Sequence, residues 1–177
     1  EPSRFNACSA FVCFDNHRNG DKTPYVFKTN DLGKTWESIT TTDIEGYALS
    51  IRQDFVNPDV LFLGTEFGLY ITVDGGKNWS RFENNMPKVG VRDMVIQQRE
   101  NALVMGTHGR GIIIIDDISP LRKVDEELLS QDLVFFEGEP TMLKDPGAGG
   151  GWFGGAGNFI GGNPNTNAQI TYYMKKK

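Results

Sequence analysis

The sequence predicts an all-β fold, a partial β-propeller of about three four-stranded blades followed by a glycine-rich linker. Three observations support this prediction: a repeat of about 43 residues, four short β-rich runs within the repeat, and turns rich in Gly, Asn, Asp and Pro between the runs. Small antiparallel sheets repeated at this period are typical of propeller blades, whereas leucine-rich and ankyrin repeats are shorter and carry helices.

The repeat is clearest in two eight-residue segments. Residues 29–36 and 72–79 begin 43 positions apart and match at Thr, Asp, Gly, Lys and Trp. Residues 63–70 and 105–113 form a second pair, at a spacing of 42 that becomes 43 when one extra loop residue is allowed. Coincidence does not explain five identities in eight positions, so the chain contains tandem units.

Each unit holds up to four predicted strands. In the middle unit these are residues 48–53, 60–64, 69–73 and 79–82. In the upstream unit the first strand is reduced to the residues around 2–5, and the other strands are expected at 9–15, 25–29 and 36–39. In the downstream unit three strands are expected, at 91–97, 102–107 and 111–116. This pattern predicts blades at residues 1–42, 43–85 and 86–137.

Three blades do not close a ring, because known propellers have at least about four. An open stack also leaves an apolar blade face and unpaired strand edges in water. We therefore expect the remaining blades of the same propeller to come from the same parent chain or from associated chains.

The repeated segments are predicted to be structural turns. An Asp at the start of a hairpin loop accepts hydrogen bonds from nearby backbone N–H groups, Gly takes the positive φ, Thr holds the entry, and Trp folds back as an apolar plug between sheets. Roles as catalytic acids or calcium ligands are disfavoured, because the Asp recurs in each unit and one turn cannot supply six or more oxygens. The residues concerned are Thr29, Asp31, Gly33, Trp36, Thr72, Asp74, Gly76 and Trp79.

The chain changes character after the blades. Residues 124–130 suit one or two helical turns, and residues 133–136 suit a strand that closes the last blade. Residues 147–162 contain nine glycines. We therefore expect a glycine-rich linker over residues 138–168, with interspersed aromatic residues that could pin it to a neighbouring surface.

Composition excludes several classes of protein. The net charge of −5 leaves no basic face for nucleic acid, and no run of 18 apolar residues predicts a membrane span. Cys8 and Cys13 are too few for a disulfide framework, and we expect them to pack as buried or half-buried small side chains, although a local bridge stays open. His17 and His108 do not make a metal site, so no metal and no cofactor are expected.

The motif Ser/Thr-x-Asp-x-Gly-x-Thr-Trp at residues 29–36, and at 72–79 with Asn78 in place of Thr, resembles the Asp-box of the bacterial neuraminidase repeat (BNR). This repeat is found in sialidases, xyloglucanase-type glycosidases and sortilin-like propellers. Residues 106–122, with Gly-Thr-His-Gly-Arg-Gly-Ile, Asp-Asp and Pro-Leu-Arg, resemble the last blade of secreted bacterial proteins labelled sortilin-like or glycosyl hydrolase with BNR repeat.

The resemblance covers about residues 1–137 and is specific for fold rather than activity. It implies a bacterial protein that is extracellular or attached to the cell envelope, in the periplasm or on the outer surface. It also implies that a small β-sandwich follows the propeller, with its first strand in residues 169–177.

Candidate ligand-binding residues lie on the face opposite the repeated turns, where loops on a rigid scaffold are free to vary. A His and an Arg displayed by a Gly-rich turn at 108–111 suit an anion or a carboxylate. The alternative is a tight turn in which the Arg pairs with Asp93 or Asp116. The candidates are His17, Arg18, Glu66, Phe67, His108 and Arg110.

Two functions remain from these observations. The favoured one is a non-catalytic propeller segment that binds a polypeptide or a glycan across this loop face. The alternative is the C-terminal part of a sialidase- or xyloglucanase-like glycoside hydrolase, which needs two carboxylates about 5 to 10 Å apart. Asp21, Asp43, Glu45 and Glu66 are scattered over different blades, so no catalytic residue is assigned. A third possibility is a segment that has lost any activity.

Overall fold

The computed structural model of the protein describes residues 1–138 and 167–175. It divides into two compact units, Glu1–Glu126 and Glu127–Lys177. Within the described residues, the first unit holds three antiparallel sheets and the second holds one. The helices of these same residues include none long and apolar enough to cross a membrane.

The first sheet has the strand order β1-β2-β3. Its strands are β1 (Ala10–Phe14), β2 (Tyr25–Thr29) and β3 (Glu37–Ser38). The predicted first strand is present as a single antiparallel bridge between Pro2 and Ala10. The loop from β1 to β2 contains a 3₁₀ helix, His17–Asn19.

The second sheet is complete, with the order β4-β5-β6-β7. Its strands are β4 (Ala48–Gln53), β5 (Leu61–Thr65), β6 (Gly68–Thr72) and β7 (Ser80–Arg81), which confirms the four predicted strands to within one or two residues. β5 is buried on both faces. A neighbouring sheet covers each face, so the strand consists of a continuous apolar run rather than an alternating pattern.

The third sheet has three strands within the described residues, in the order β10-β9-β8. They are β8 (Val91–Gln97), β9 (Ala102–Thr107) and β10 (Ile112–Ile115), as predicted. A 3₁₀ helix, Ser119–Lys123, follows where the repeated turn of the other sheets would stand. The repeat therefore ends at β10 within the described chain.

Apolar side chains join the sheets face to face. One cluster lies between the first and second sheets and includes Phe11, Val26, Ile39, Ile51, Leu61, Leu63, Tyr70 and Trp79. A second cluster lies between the second and third sheets and includes Val60, Phe62, Leu69, Val91, Met94, Leu103, Met105 and Ile118. Burial of these side chains is the main stabilising contribution in the first unit.

The 43-residue repeat is visible in the backbone hydrogen bonds. The N–H of Ile39 donates to the carbonyl of Val26 at 3.0 Å, and the N–H of Phe82 donates to the carbonyl of Leu69 at 2.8 Å. Both members of the second pair follow those of the first by 43 positions. The sheets therefore repeat at the level of single hydrogen bonds.

A buried ion pair ties the end of the first unit to the turn between β4 and β5. Arg122 donates from Nε and Nη2 to the two carboxylate oxygens of Asp54, at 2.9 and 3.0 Å. The guanidinium also lies over the Phe55 ring, 4.6 Å from its centroid. Burial raises the pKa of Asp54, but the hydrogen bonds and charge of Arg122 outweigh it and hold that pKa below its usual range.

The second unit corrects one prediction. A short helix, α1 (Glu126–Ser130), begins at the unit boundary and matches the predicted helical turns. Strand β11 (Leu133–Phe135) also forms, but it pairs with β12 (Tyr172–Met174) rather than closing the last blade. The prediction for residues 133–136 was therefore wrong about the partner. The predicted glycine-rich linker at 138–168 lies almost entirely outside the described residues.

The two cysteines are free thiols. Cys13 packs half-buried against the core, and burial raises the pKa of its thiol. Cys8 is exposed, which contradicts the expected buried or half-buried position. Its carbonyl faces the first repeated turn and accepts the N–H of Leu32 at 2.9 Å, so the backbone of this residue rather than its side chain has a packing role.

Candidate binding face

The loop face is formed by the loop from β1 to β2, the turn from β5 to β6 and the turn from β9 to β10, together with the segments that lead into β4 and β8. It lies at the opposite end of the strands from the repeated turns. Five of its residues, His17, Tyr47, Glu66, Gly90 and His108, form a continuous line across the three sheets. We call this line the loop strip.

His17 begins the strip and is held in one orientation. Its backbone N–H donates a hydrogen bond to Asp15 Oδ1 at 3.0 Å, and its ring Nδ1 lies 2.5 Å from the same oxygen. The imidazole stacks on the ring of Tyr47, with 4.4 Å between centroids and 14° between planes. This contact joins the loop of the first sheet to the entry of the second.

Asp15 is kept ionised beside His17. Desolvation is the largest single effect and raises its pKa, but hydrogen bonds from His17 and the charges of His17 and Arg92 together outweigh it and lower the pKa below the usual range. Arg92 comes from the third sheet, so charges from two sheets act on one carboxylate. A carboxylate that holds His Nδ1 leaves Nε2 as the atom available to a ligand.

Glu66 lies next along the strip. Its backbone N–H donates to the carbonyl of Tyr47 at 3.1 Å, and its Oε1 lies 3.6 Å from Lys22 Nζ. The other carboxylate oxygen, Oε2, is buried and has no hydrogen-bond partner among the described residues. A buried carboxylate oxygen without a donor is costly to the fold.

The close approach of the loops at Glu66 depends on Gly46. Gly46 has a φ of +75°, and a Cβ at this position would lie 2.9 Å from Glu66 Cβ and 3.0 Å from Phe67 Cδ2. Any other residue would be strained and would push the Glu66–Phe67 turn away. The carbonyl of Phe67 accepts a hydrogen bond from Arg81 Nη2 at 2.9 Å, which fixes the turn from the opposite side.

Gly90 and His108 extend the strip into the third sheet. The N–H of His108 donates to the carbonyl of Gly90 at 2.8 Å. A Cβ at Gly90 would lie 3.5 Å from the carbonyl oxygen of Glu66 and 3.8 Å from His108 Cβ, so Gly90 sits between these two residues. The structure therefore brings together His17, Glu66 and His108, which the sequence could only place on one face.

The two predicted arginines lie outside the five residues of the loop strip. Arg18 and Arg110 are exposed and make no hydrogen bond or ion pair within the described residues. The alternative partner Asp93 is occupied by Arg52, whose Nη2 lies 2.9 Å from Asp93 Oδ1. Among the described residues Arg110 pairs with neither Asp93 nor Asp116, whereas Gly109 and Gly111 take the positive φ of a tight turn, +86° and +69°.

Tyr47 and Asp15 were missed as members of the site. Asp15 stands two residues before His17, the spacing at which a carboxylate caps the next backbone N–H, so this signal was available. Tyr47 carried none, because its contact with His17 joins two different sheets. The described residues contain no group of three or more His, Cys, Asp or Glu side chains arranged to hold a metal.

Two carboxylates on the loop face, Asp21 and Glu45, interact with neighbouring donors or cations. Asp21 accepts hydrogen bonds from the Thr23 N–H, the Tyr25 hydroxyl and the Asn16 amide, and these bonds hold its pKa well below the usual range. Glu45 lies 3.7 Å from Arg81 and 4.0 Å from Lys88. Asp43 is exposed.

At the opposite end, the repeated turns have the predicted hydrogen bonds. The hydroxyl of Thr29 donates to Asp31 and accepts the N–H of Gly33, at 2.9 and 3.0 Å. The hydroxyl of Thr72 does the same with Asp74 and Gly76, at 2.6 and 3.1 Å. Gly33 and Gly76 take the expected positive φ, +81° and +97°.

The two tryptophans of these turns differ. Trp79 is 4% exposed and its Nε1 donates to the carbonyl of Ile39 in the first sheet at 2.8 Å. Trp36 is 45% exposed and its Nε1 reaches only Gly33 of its own turn, at 3.2 Å. The predicted plug between sheets is therefore correct for Trp79 and wrong for Trp36, which has no sheet beside it within the described residues.

Comparisons with known proteins agree with the fold. No family model matches the chain. A segment of 62 residues, 35% of the chain, is 37% identical to Vacuolar protein sorting/targeting protein 10 of Pyrenophora tritici-repentis and spans 4% of that protein. The GH74 enzyme of Niastella koreensis is similar in structure with a TM-score of 0.52 and 20% identity, over 64% of this chain and 20% of that one. An ancestral GH74 enzyme gives a TM-score of 0.44 and 15% identity, over 51% and 11% of the two chains.

The first of these structures, a β-propeller enzyme, supports the fold alone, because its identity to the chain is low. Together with the three face-to-face antiparallel sheets, it defines the class: the chain is a segment of a β-propeller. The matched regions span 4% of the sorting protein and 20% and 11% of the two GH74 enzymes, so the activity of a complete protein is a separate question.

Proposed function

We propose that the chain is a non-catalytic segment of an Asp-box (BNR) propeller in a bacterial secreted or cell-envelope protein, and that it binds a polypeptide or a glycan on its loop face. The observation that carries the proposal is the loop strip. It combines the half-buried His17 imidazole, which stacks on Tyr47, with the Glu66 carboxylate and the exposed His108. Hydroxyl, amide and amine groups of such ligands can donate to the accessible part of the Glu66 carboxylate, and their apolar faces can pack on the imidazole rings.

The charges around the strip support binding rather than hydrolysis. Glycoside hydrolysis needs one carboxyl group that stays protonated near neutral pH, which requires a raised pKa. On this face the carboxyl groups whose pKa values are shifted, Asp15 and Asp21, are both shifted downward. Glu66 and Glu45 each lie within 4 Å of a cationic side chain, Lys22 and Arg81 respectively.

The alternative proposal is the C-terminal part of a GH74-like or sialidase-like hydrolase. One observation favours it: the structural neighbour from Niastella koreensis is described as a GH74 enzyme. In that case the second carboxylate of the catalytic pair would come from a part of the propeller outside these residues.

We further propose that other blades of the same propeller complete the ring around blades at residues 1–42, at 43–85 and from 86 onward. The exposed Trp36 supports this proposal, because its counterpart Trp79 is buried against a preceding sheet. A strand at residues 172–174 is compatible with the β-sandwich that the Asp-box resemblance implies after the propeller.

Binding is tested with the purified chain on glycan and peptide arrays. Glu66→Gln and the double variant His108→Ala with Arg110→Ala are expected to weaken a detected ligand by about tenfold or more, since each removes a polar contact from the strip. Lys34→Ala, on the exposed turn at the opposite end, is the matched control and is expected to leave binding unchanged. Equal binding by all variants contradicts the loop face as the site.

Hydrolysis is tested on the same protein with fluorogenic glycosides. We expect no turnover, because no acid and nucleophile pair is assembled among the described residues. Turnover that is lost in Glu66→Gln or in Asp43→Asn would overturn the non-catalytic proposal in favour of the hydrolase.

A further inference from the structure

The loop from β1 to β2 contains the only Asn–Gly pair of the sequence, Asn19–Gly20. Such a pair can react with itself, because the backbone nitrogen that follows an asparagine can attack the side-chain amide carbon. Glycine favours the attack, since it has no Cβ to block the approach and reaches backbone conformations that other residues rarely adopt. The loop strip uses His17 of this loop but neither residue of the pair, so the pair has no role in the proposed function.

The structure leaves the pair open to water. Asn19 and Gly20 are both exposed, and the 3₁₀ helix that ends at Asn19 buries none of its residues. Gly20 has a φ of +82°, and apart from its chain neighbours no atom lies within 4 Å of the position that a Cβ would take there. Water and hydroxide can therefore reach this part of the loop.

Two hydrogen bonds restrain the pair in the folded chain. The N–H of Gly20 donates to the carbonyl of His17 at 2.9 Å, and Asn19 Nδ2 donates to Asn16 Oδ1 at 2.7 Å. Both bonds lie within the loop itself, and 3₁₀ turns have poorer hydrogen-bond geometry than α-helices. Exposed local bonds of this kind open at a small fraction of the free energy of global unfolding. The reactive arrangement is therefore accessible without unfolding the sheets.

The residues on either side of the pair anchor the loop. His17 is bound to Asp15 and stacks on the ring of Tyr47. Asp21 accepts a hydrogen bond from the hydroxyl of Tyr25, the first residue of β2, at 2.7 Å. We therefore expect opening to be confined to the short turn between these two anchors.

The only Asp–Gly pair of the sequence, Asp74–Gly75, provides an internal contrast. The same attack is possible there in principle, but the Asp74 carboxylate accepts hydrogen bonds from Thr72 and Asn78, at 2.6 and 2.7 Å. The N–H of Gly75 donates to the carbonyl of Asp59, in a different turn, at 2.9 Å. An ionised carboxylate is also a poor electrophile. We therefore expect reaction in the loop and not in the repeated turn.

We propose that Asn19 is a site of spontaneous deamidation, which modifies the loop from β1 to β2 with time. The Gly20 nitrogen loses its proton and attacks Asn19 Cγ, so that an N–Cγ bond forms, the Cγ–Nδ2 bond breaks and Nδ2 leaves as ammonia. Water then opens the succinimide ring at either carbonyl, which gives aspartate or isoaspartate. Nothing is oxidised or reduced, and water is the only co-reactant.

The products change the loop face in two ways. Both place a negative charge next to Arg18, where the original side chain is a neutral amide. Isoaspartate also carries the chain through the side-chain carbonyl, which adds one carbon to the backbone. The hydrogen bond between Gly20 and His17 cannot keep its geometry in that product. The loop that holds His17 would therefore exist in two chemical forms.

The test follows the full chain during incubation at neutral and at mildly alkaline pH. Proteolytic peptides are analysed by mass spectrometry for conversion of an amide to an acid, and by isoaspartyl methyltransferase labelling. We expect conversion at Asn19, faster at the higher pH, and at least about tenfold slower conversion at Asn16, which lies in the same loop but precedes His17 instead of a glycine. No conversion at Asn19, or equal rates at the two asparagines, overturns the proposal.

Two variants and one reference state separate the chemistry from unfolding. Gly20→Ala keeps Asn19 but places a Cβ beside the attacking nitrogen, and should slow conversion at least about tenfold. Asn19→Gln keeps an amide but needs a larger ring, and should abolish the change at this position. The chain unfolded in urea gives the unrestrained rate. A folded chain that reacts more than about a hundredfold more slowly than the unfolded one is protected by its hydrogen bonds, which contradicts the proposal.

The measurement needs no ligand, so its outcome is independent of the proposed function. Conversion at Asn19 in a chain that binds nothing on the arrays supports deamidation and contradicts only the loop-face proposal. Array binding that requires Glu66, in a chain whose Asn19 stays unmodified, supports the loop face and overturns deamidation.

Discussion

The two repeated turns, residues 29–36 and 72–79, have nearly the same internal hydrogen bonds but different surroundings. In each, a threonine hydroxyl bonds the carboxylate, and the carboxylate accepts the backbone N–H four residues later, at 2.9 Å in the first turn and 3.0 Å in the second. Yet only the second tryptophan is buried. Turn geometry is therefore local, whereas the stabilising effect of the tryptophan depends on the sheet beside it.

The strongest test of this difference is truncation of the two indoles. Trp79→Ala is expected to lower the free energy of unfolding by about 3 to 5 kcal/mol, since it leaves a cavity and an unpaired Ile39 carbonyl. Trp36→Ala should cost less than about 1 kcal/mol, because half of its ring is already in water. Chemical denaturation of both variants checks the pair, and equal losses would contradict the assigned environments.

The glycines of the two turns give the next largest difference. Both have a positive φ, so replacement by Ala costs about 1 to 2 kcal/mol in each turn. At Gly76 a Cβ would also lie 3.1 Å from Ile39 Cβ, whereas at Gly33 the nearest atom is Trp36 Cζ2 at 3.7 Å. We expect Gly76→Ala to lose a further 1 kcal/mol or so by overpacking. Thermal unfolding of both variants measures this excess.

A third comparison concerns the carboxylates. Burial raises the pKa of Asp74, but hydrogen bonds from Thr72 and Asn78 outweigh it and lower that pKa. Such a group stabilises the fold above its unfolded pKa of about 3.9, and this stability is lost as the pH falls through the lower folded value.

Asp74→Ala is therefore expected to cost about 1 to 2 kcal/mol at pH 7 and progressively less below about pH 4. Denaturation at a series of pH values checks this slope. The matched change Asp31→Ala should show the same sign, because hydrogen bonds from Thr35 lower that pKa also. A cost that stays constant down to pH 2 would rule out the carboxylate as the source.

The smallest effect is expected where the two turns differ in sequence. Thr35 Oγ1 donates to Asp31 Oδ2 at 2.6 Å, and Asn78 Nδ2 donates to Asp74 Oδ2 at 2.7 Å. Since either side chain supplies the bond, Asn78→Thr should change stability by less than about 0.5 kcal/mol. Asn78→Ala, which supplies none, is the control in the same denaturation series.

Local patterns predicted most of the strands, because short β-rich runs and turn residues act over a few positions. What failed depends on distant residues. β11 was expected to join the last blade, but its partner Tyr172–Met174 lies beyond a long intervening segment. Trp36 has the same motif as Trp79, and only the neighbouring sheet decides whether the ring is covered.

The candidate site follows the same rule. His17, Glu66 and His108 could be assigned to one face from strand order, because alternate turns of a meander lie at opposite ends. Their connection through Tyr47 and Gly90 could not, since it joins side chains and backbone of different sheets. The unsatisfied oxygen of Glu66 is likewise a property of packing and has no signature in the chain.

The pair formed by Asp54 and Arg122 has a consequence for biosynthesis. Asp54 leaves the ribosome 68 residues before the guanidinium that neutralises it. Until that arginine arrives, the second sheet can close only by burying an uncompensated charge or by leaving its turn in water. We therefore expect the turn between β4 and β5 in the second sheet to become buried only after the third sheet and Arg122 have been synthesised.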